Sequence, residues 1–186
     1  MTIQTINQIY KGEYKSLNSK FIGFLMPFRN KSTLNTILQE LKKEHPKSCH
    51  ICYAYRIGYQ SIEERANDDG EPSGSAGKPI LNQLLSHKLS NSIILVVRYF
   101  GGTKLGIPGL IEAYKEASIA CLSQAIIITE EEMLEKEINL SQTAYFEFMK
   151  LSKKEKIEIL NSEFKEEEYS IQIRYPVSKQ SLLKDF

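Results

Sequence analysis

The chain has 186 residues, 41% hydrophobic and 25% charged, which is enough to bury a core in one domain or in a main domain with a small companion. No apolar run approaches the roughly 20 residues that span a bilayer. Three cysteines without an export-type N-terminus point to a cytoplasmic protein and not to a disulfide scaffold. The formal net charge of +1 conceals a split. Residues 1–128 carry 15 Lys+Arg against 10 Asp+Glu, a balance of +5, and residues 129–186 carry 9 against 13, a balance of −4. Any affinity for phosphates is expected in the first part, since an acidic surface repels a polyanion.

Strands are predicted at Glu13 to Leu17 and Phe21 to Phe28, where aromatic and aliphatic residues suit a buried sheet. A helix follows, with Ser32 as its cap and Leu34, Ile37, Leu38 and Leu41 on one face. Ser48 to Ile57 alternates with a period of two, placing Ile51, Tyr53, Tyr55 and Ile57 on one face and His50, Cys52, Ala54 and Arg56 on the other. After a long polar loop a helix is predicted from Pro79 to about Leu89. The continuous apolar run Ser92 to Tyr99 then reads as a central strand covered on both faces. A glycine-rich loop leads to a helix from about Leu110 to Leu122, and Ala125 to Thr129 reads as a short strand. The predicted order β-β-α-β-α-β-α-β describes a mixed α+β domain over residues 1–128.

Glu130, Glu131, Glu132, Glu135 and Glu137 read as a solvated linker or strand edge, because consecutive carboxylates on an extended chain point apart and do not gather around a metal. Residues 129–186 then show a short strand at Glu137 to Leu140 and a helix from Gln142 to about Ser152. A hairpin of Ile157 to Phe164 with Tyr169 to Tyr175 and a last short helix from Ser178 complete the chain.

Two loops concentrate the groups able to bind something. In the first, Asp68, Asp69, Gly70, Glu71, Ser73, Gly74, Ser75, Gly77 and Lys78 precede a helix, so that backbone N–H groups, hydroxyls and the helix dipole could receive an anion. It is not a Walker A loop: Pro72 replaces its first glycine and Pro79 its magnesium-binding hydroxyl. The three carboxylates suit a bound cation or salt bridges to nearby Arg or Lys, and an ordered turn whose acids cap backbone donors explains them equally well. In the second, Arg98, Tyr99, Gly101, Gly102, Lys104, Gly106 and Gly109 run from a buried strand into a helix, where open α/β sheets place ligands. Its spacing is not the dinucleotide fingerprint, and close packing of a helix on the sheet is the structural alternative. His50 and Arg56 are candidates for a wall of the site. Cys49 and Cys52 point to opposite faces of a strand and lack a second ligand pair, so no metal site is expected. Cys121 reads as a small buried hydrophobe. No catalytic residue and no cofactor are assigned.

The segments DDGEPSGSAGKPIL at 68–81 and VVRYFGGTKLGIPGLIEAY at 96–114 together resemble the signature of the YigZ/Impact family, supported by Phe21-Ile22-Gly23 and by the stretch from Cys49 to Gly58. The resemblance covers about residues 10–128. Pro108 and Glu112 depart from it, standing where the family pattern has Gly and Arg. It implies an N-terminal domain with the fold of the second domain of small-subunit ribosomal protein five. A ferredoxin-like domain over 129–186, similar to the end of elongation factor G and shortened by its fourth strand, is implied to follow. Eukaryotic members of the family are regulators of translation. The resemblance therefore implies a non-enzymatic binding module acting on RNA, the ribosome or a translation-factor protein, with Lys78, Arg98 and Lys104 as contacts. The alternative is a Mg²⁺-dependent phosphate-handling enzyme in which Asp68, Asp69 and Glu71 hold the ion and the second loop takes a nucleotide or sugar phosphate. Neither a membrane segment nor a DNA-specific pattern is present.

Overall fold

The computed structural model describes residues 1–165, 167–184 and 186. The chain divides into two units, one of Ile3–Glu130 and one of Glu131–Phe186 joined by Met1–Thr2.

The larger unit is built on a five-stranded sheet in which every neighbouring pair is antiparallel. Its strands are β2 (Tyr10–Ser16), β3 (Ser19–Pro27), β4 (His50–Ile57), β5 (Glu63–Asn67) and β6 (Ser92–Tyr99), in the order β2-β3-β6-β4-β5. The predicted central strand is in the middle: Ile93, Ile94, Leu95, Val96 and Val97 are wholly buried. Alternation along β6 sends Ile94 and Val96 into one core layer and Ile93, Leu95 and Val97 into the other.

Helices cover both faces. Helix α1 (Leu34–Glu44) supplies Leu34 and Leu41 to one layer, while α2 (Gly77–Ser86) and α3 (Gly106–Leu122) supply Ile80, Leu84, Ala113, Tyr114, Ala117 and Cys121 to the other. Ser32 does not cap α1. It lies in a 3₁₀ turn over Lys31–Thr33, and the Asn30 side chain accepts from the Ser32 N–H instead. Helix α3 approaches the sheet closely because its inner face is small: a Cβ built on Gly12 would stand 2.2 Å from the Ala120 carbonyl carbon, and one on Gly23 2.4 Å from the Ala117 oxygen. This contact fixes where the N-terminus of α3 emerges.

Two strands, β1 (Thr2–Thr5) and β5, escape the sequence reading. The five-residue strand β5 has the sequence EERAN, and four of its residues are exposed. As an edge strand it lacks the apolar alternation that signals burial. The strand β7 (Ile128–Glu131) starts later than predicted and pairs with β1 (Thr2–Thr5) in a separate two-stranded sheet, leaving Ile126 exposed before it.

The smaller unit has a three-stranded antiparallel sheet of β8 (Met133–Leu140), β9 (Glu158–Lys165) and β10 (Glu168–Pro176), ordered β8-β10-β9. Helix α4 (Gln142–Glu155) connects β8 to β9, and a 3₁₀ segment over Val177–Leu183 follows β10. This is the ferredoxin-like order without a fourth strand among the described residues. Its core is Ile138, Leu140, Phe148, Ile157, Ile171, Ile173, Tyr175 and Leu183. Several of the acid-rich residues have assigned tasks: Glu130 accepts from Arg29, Tyr59 and Asn91, Glu131 from the Ser178 N–H, and Glu135 pairs with Arg174 at 2.8 Å.

Replacing Gly12 by Ala should destabilise the larger unit by about 2–3 kcal/mol, since α3 must lift from β2 to admit the methyl group. Urea unfolding measures it.

Candidate functional site

The first glycine loop is closed by its own acids. Asp68, just after β5, turns its carboxylate onto three backbone donors: the N–H groups of Gly74 at 2.9 Å, Ala76 at 3.0 Å and Gly77 at 2.8 Å. Partial burial raises its pKa, but the bonds from Gly74, Gly77 and Ala76 outweigh that effect and hold the group below the usual carboxylate range. The donors that could have received an external anion at the start of α2 are therefore occupied from within the chain. Asp69 accepts from the Ile51 N–H at 2.6 Å, and its carbonyl lies 2.7 Å from His50 Nδ1, which fixes the imidazole proton on that nitrogen. Ser75 donates to the Pro72 carbonyl at 2.6 Å. Gly77 passes so close to β5 that a Cβ would stand 2.6 Å from the Asn67 nitrogen. Gly70 and Gly74 take positive φ, 85° and 75°. Ser73 and Lys78 are exposed.

Glu71 points the other way, into the protein. Its Oε1 accepts from Arg98 Nη1 at 2.5 Å and from the Tyr114 hydroxyl at 2.7 Å, and the two charged side chains retain only 4% and 8% of their exposure. Arg98 comes from the end of β6, where His50 on β4 and Phe21 on β3 stand opposite it, and its guanidinium carbon lies 5.6 Å from the ring centre of Phe21 and 5.7 Å from that of Phe100. The Cys52 thiol stands 3.3 Å from the Tyr114 hydroxyl and 3.0 Å from the Asp68 carbonyl oxygen. Burial drives the Cys52 and Tyr114 pKa values far up, so neither serves as a nucleophile or base near neutrality. Burial likewise pushes Cys121 up to about 12, in keeping with its place in the core. The carboxylates of Asp68, Asp69 and Glu71 thus serve three separate sets of partners, and no group of three or more His, Cys, Asp or Glu among the described residues is arranged to hold a metal.

The second loop starts at Gly101, which lies against the β2–β3 turn: its N–H reaches Ser19 Oγ at 3.1 Å, and a Cβ would stand 2.1 Å from the Asn18 carbonyl carbon. Gly102 and Gly106 take positive φ, and Gly109 packs on Leu105. Leu105, at the N-cap of α3, makes no side-chain capping bond.

The two loops face each other across an open groove of about 460 Å³. Pro72, Phe100, Leu105, Ile107 and Leu110 give it apolar walls, His50, Cys49 and Lys104 stand on its margin, and the Glu71–Arg98 pair closes its base. Of the residues singled out in the sequence, His50, Glu71, Arg98, Lys104 and Gly106 meet here. Lys78 is on the exposed side of α2, outside the groove lining. Tyr99 faces the α1 layer, where its hydroxyl stands 2.7 Å from His45 Nδ1. Arg56 lies at the far end of β4, held by Glu64 and the Leu89 carbonyl, about 20 Å along the strand from His50. Sequence reasoning missed Tyr114 and the apolar walls. Their only signal was that Leu105, Ile107, Leu110 and Tyr114 fall in the same motif as the glycines.

A sheet of five antiparallel strands whose two glycine loops border one largely apolar groove makes the larger unit an α+β domain. Residues 17–122 match the Impact N-terminal domain, and the chain belongs to that family. The chain is 41% identical over 110 residues to IMPACT family member YvyE of Bacillus subtilis, covering 59% of this chain and 51% of that protein. It is 33% identical over 139 residues to an IMPACT family member of Haemophilus influenzae, covering 74% and 62%. The matched stretches thus span roughly half to three-fifths of these relatives. A crystal structure of a hypothetical protein shares the fold with a TM-score of 0.76 at 25% identity, covering 97% of this chain and 88% of that one.

Replacing Asp68 by Asn should cost about 1–2 kcal/mol, because the amide keeps one acceptor oxygen but turns its NH₂ donor toward a backbone N–H that the second oxygen had received, and should change the acid limb of stability. Because the folded pKa lies below the unfolded one, the contribution of Asp68 is complete above about pH 4 and is lost as pH falls through the depressed folded value. The Asn variant should show a shallower loss of stability on acidification, measured by urea midpoints from pH 7 to pH 3.

Proposed function

We propose that the protein is a binding module that regulates translation by holding a protein of the translation apparatus in the groove between its two glycine loops, without chemical conversion. The family to which the chain belongs supports the translational setting. The observation that carries the mode of action is the lining of the groove, which is largely apolar, with its buried arginine already neutralised by Glu71. Phe100 and Ile107 keep 49% and 53% of their exposure, the kind of unsatisfied apolar surface that a partner covers. A phosphate clamp is less well supported. Of the three cations expected to form it, Lys78 is outside the groove and Arg98 is paired, which leaves Lys104. Magnesium-dependent phosphate chemistry is disfavoured by the separate engagement of Asp68, Asp69 and Glu71.

Co-sedimentation with ribosomes, and pull-down from a nuclease-treated, ribosome-free translation-factor fraction, test the reading. Binding to the factor fraction should survive nuclease and weaken by less than about tenfold between about 50 and 200 mM KCl, whereas a contact resting on many phosphates would lose about a thousandfold. Loss of binding on nuclease treatment, or the steep salt dependence, would move the function to RNA.

A further inference from the structure

We propose that the groove captures the free C-terminus of a partner polypeptide whose last residue is apolar. This rests on the reading that the groove is the binding site, and it adds the chemical class of what enters.

The two helix N-termini beside the loops differ. At α2 the Asp68 carboxylate already occupies the backbone donors. At α3 the preceding residue is Leu105, which has no capping oxygen, and no side chain among the described residues accepts from the N–H groups of Gly106 or Ile107, both of which line the groove. Pro108 has no N–H of its own to satisfy. A carboxylate set at this end would take the role that Asp68 takes at the other helix. A second polar group points the same way. Arg98 is 6% exposed, and its Nε is buried without a hydrogen-bond partner, although its Nη1 is held by Glu71. A buried donor left unpaired costs on the order of 1–3 kcal/mol, and Arg98 lines the groove.

The charge on the groove selects the head group. Of the charged side chains that line it, Arg98 is balanced by Glu71 and Lys104 has no ion-pair partner among the described residues; Glu112, nearly two turns into α3, lies outside the lining and shares Lys115 with Glu116. One positive charge matches a carboxylate. A phosphate would bring about −1.5 to −2 beside Glu71. The apolar walls Pro72, Phe100, Leu105, Ile107 and Leu110 select a hydrophobic side chain next to that head. Their volume of about 460 Å³ lies in the roughly 300–1,000 Å³ range of ligand pockets. The groove is open, with Phe100 and Ile107 half exposed on its margin, so a chain attached to the bound residue can leave into solvent. That favours a polypeptide end over a free acid, and terminal carboxylates are recognised elsewhere by backbone N–H groups in this manner.

Amide chemical shifts of the labelled full-length protein, followed during titration with an acetylated tetrapeptide ending in leucine, test the proposal. Shifts should saturate at Gly106 and Ile107. Amidation of the peptide C-terminus, or aspartate in place of the last leucine, should weaken binding by about tenfold or more. Lys104→Ala should weaken it several-fold, Ile107→Asp should abolish it, and Lys78→Ala should leave it unchanged, each variant being checked for an unaltered melting temperature. Both Lys104 and Ile107 are exposed, so these substitutions spare the core. Equal binding of acid and amide, tighter binding of octanoate than of the peptide, or no shift at about 5 mM peptide would overturn the proposal. The underlying function fails separately: association with the factor fraction that ignores both Lys104→Ala and Ile107→Asp removes the groove itself from the account. Association that depends on those residues, with peptides that do not bind, removes only C-terminal capture.

Discussion

The ion pair between Glu71 and Arg98 is the contact on which the shape of the groove depends. It joins the first glycine loop to the end of the central strand, and Tyr114 extends it into α3. Glu71 stands 27 residues before Arg98 and 43 before Tyr114, so one buried oxygen, Glu71 Oε1, sets the spacing of a loop, a strand and a helix. Buried pairs of this kind do not add stability in proportion to their Coulomb attraction, because desolvation takes much of it back. What they provide is definition. Any displacement of the loop leaves a charge in the core without compensation, so the loop has one position in which the groove is shaped.

The same economy runs through the polar groups around the groove. Asp68 ties the loop to the start of α2, Asp69 ties it to β4, and His50 is held by the Asp69 carbonyl. Residues that look reactive in the sequence are thus committed to architecture, and burial removes Cys52 and Tyr114 from acid–base work. The N-terminus of α3, Lys104 and the apolar margin are the parts of the proposed site that these contacts leave open. The close contact of α3 with Gly12 and Gly23 fixes the direction from which that helix end faces the groove, so the packing of a helix far along its length contributes to the geometry of the site.

Much of this was legible in the chain. The unbroken run Ile93 to Val97 marks a strand buried on both faces, and the alternation of Tyr169, Ile171, Ile173 and Tyr175 marks a half-buried one; in both, a side chain's burial follows from its own position. The misses share a cause. The strand β5 is charged because it is an edge, and β1 is four residues long, so neither carries a burial signal. Arg98 and Tyr99 are adjacent and read as one motif, yet a period of two sends them to opposite layers. Which acid meets which base is a tertiary fact: Glu71 and Arg98 are 27 residues apart, and Lys78 and Lys104 offered equally plausible partners. The acids of the first loop could be read as a cation site or as caps, and only the backbone donors placed around Asp68 decide for caps.

The central claim is that Glu71 and Arg98 act as a unit to position the loops. A double-mutant cycle of Glu71→Gln and Arg98→Met, read by urea unfolding, tests it most directly. Each single change should cost about 3 kcal/mol or more, because each leaves a buried polar group without its partner. The double variant should cost clearly less than the sum, with a coupling above about 1 kcal/mol. Additive losses, within about 0.5 kcal/mol, would mean that the two side chains are independent and that the groove is held open by something else.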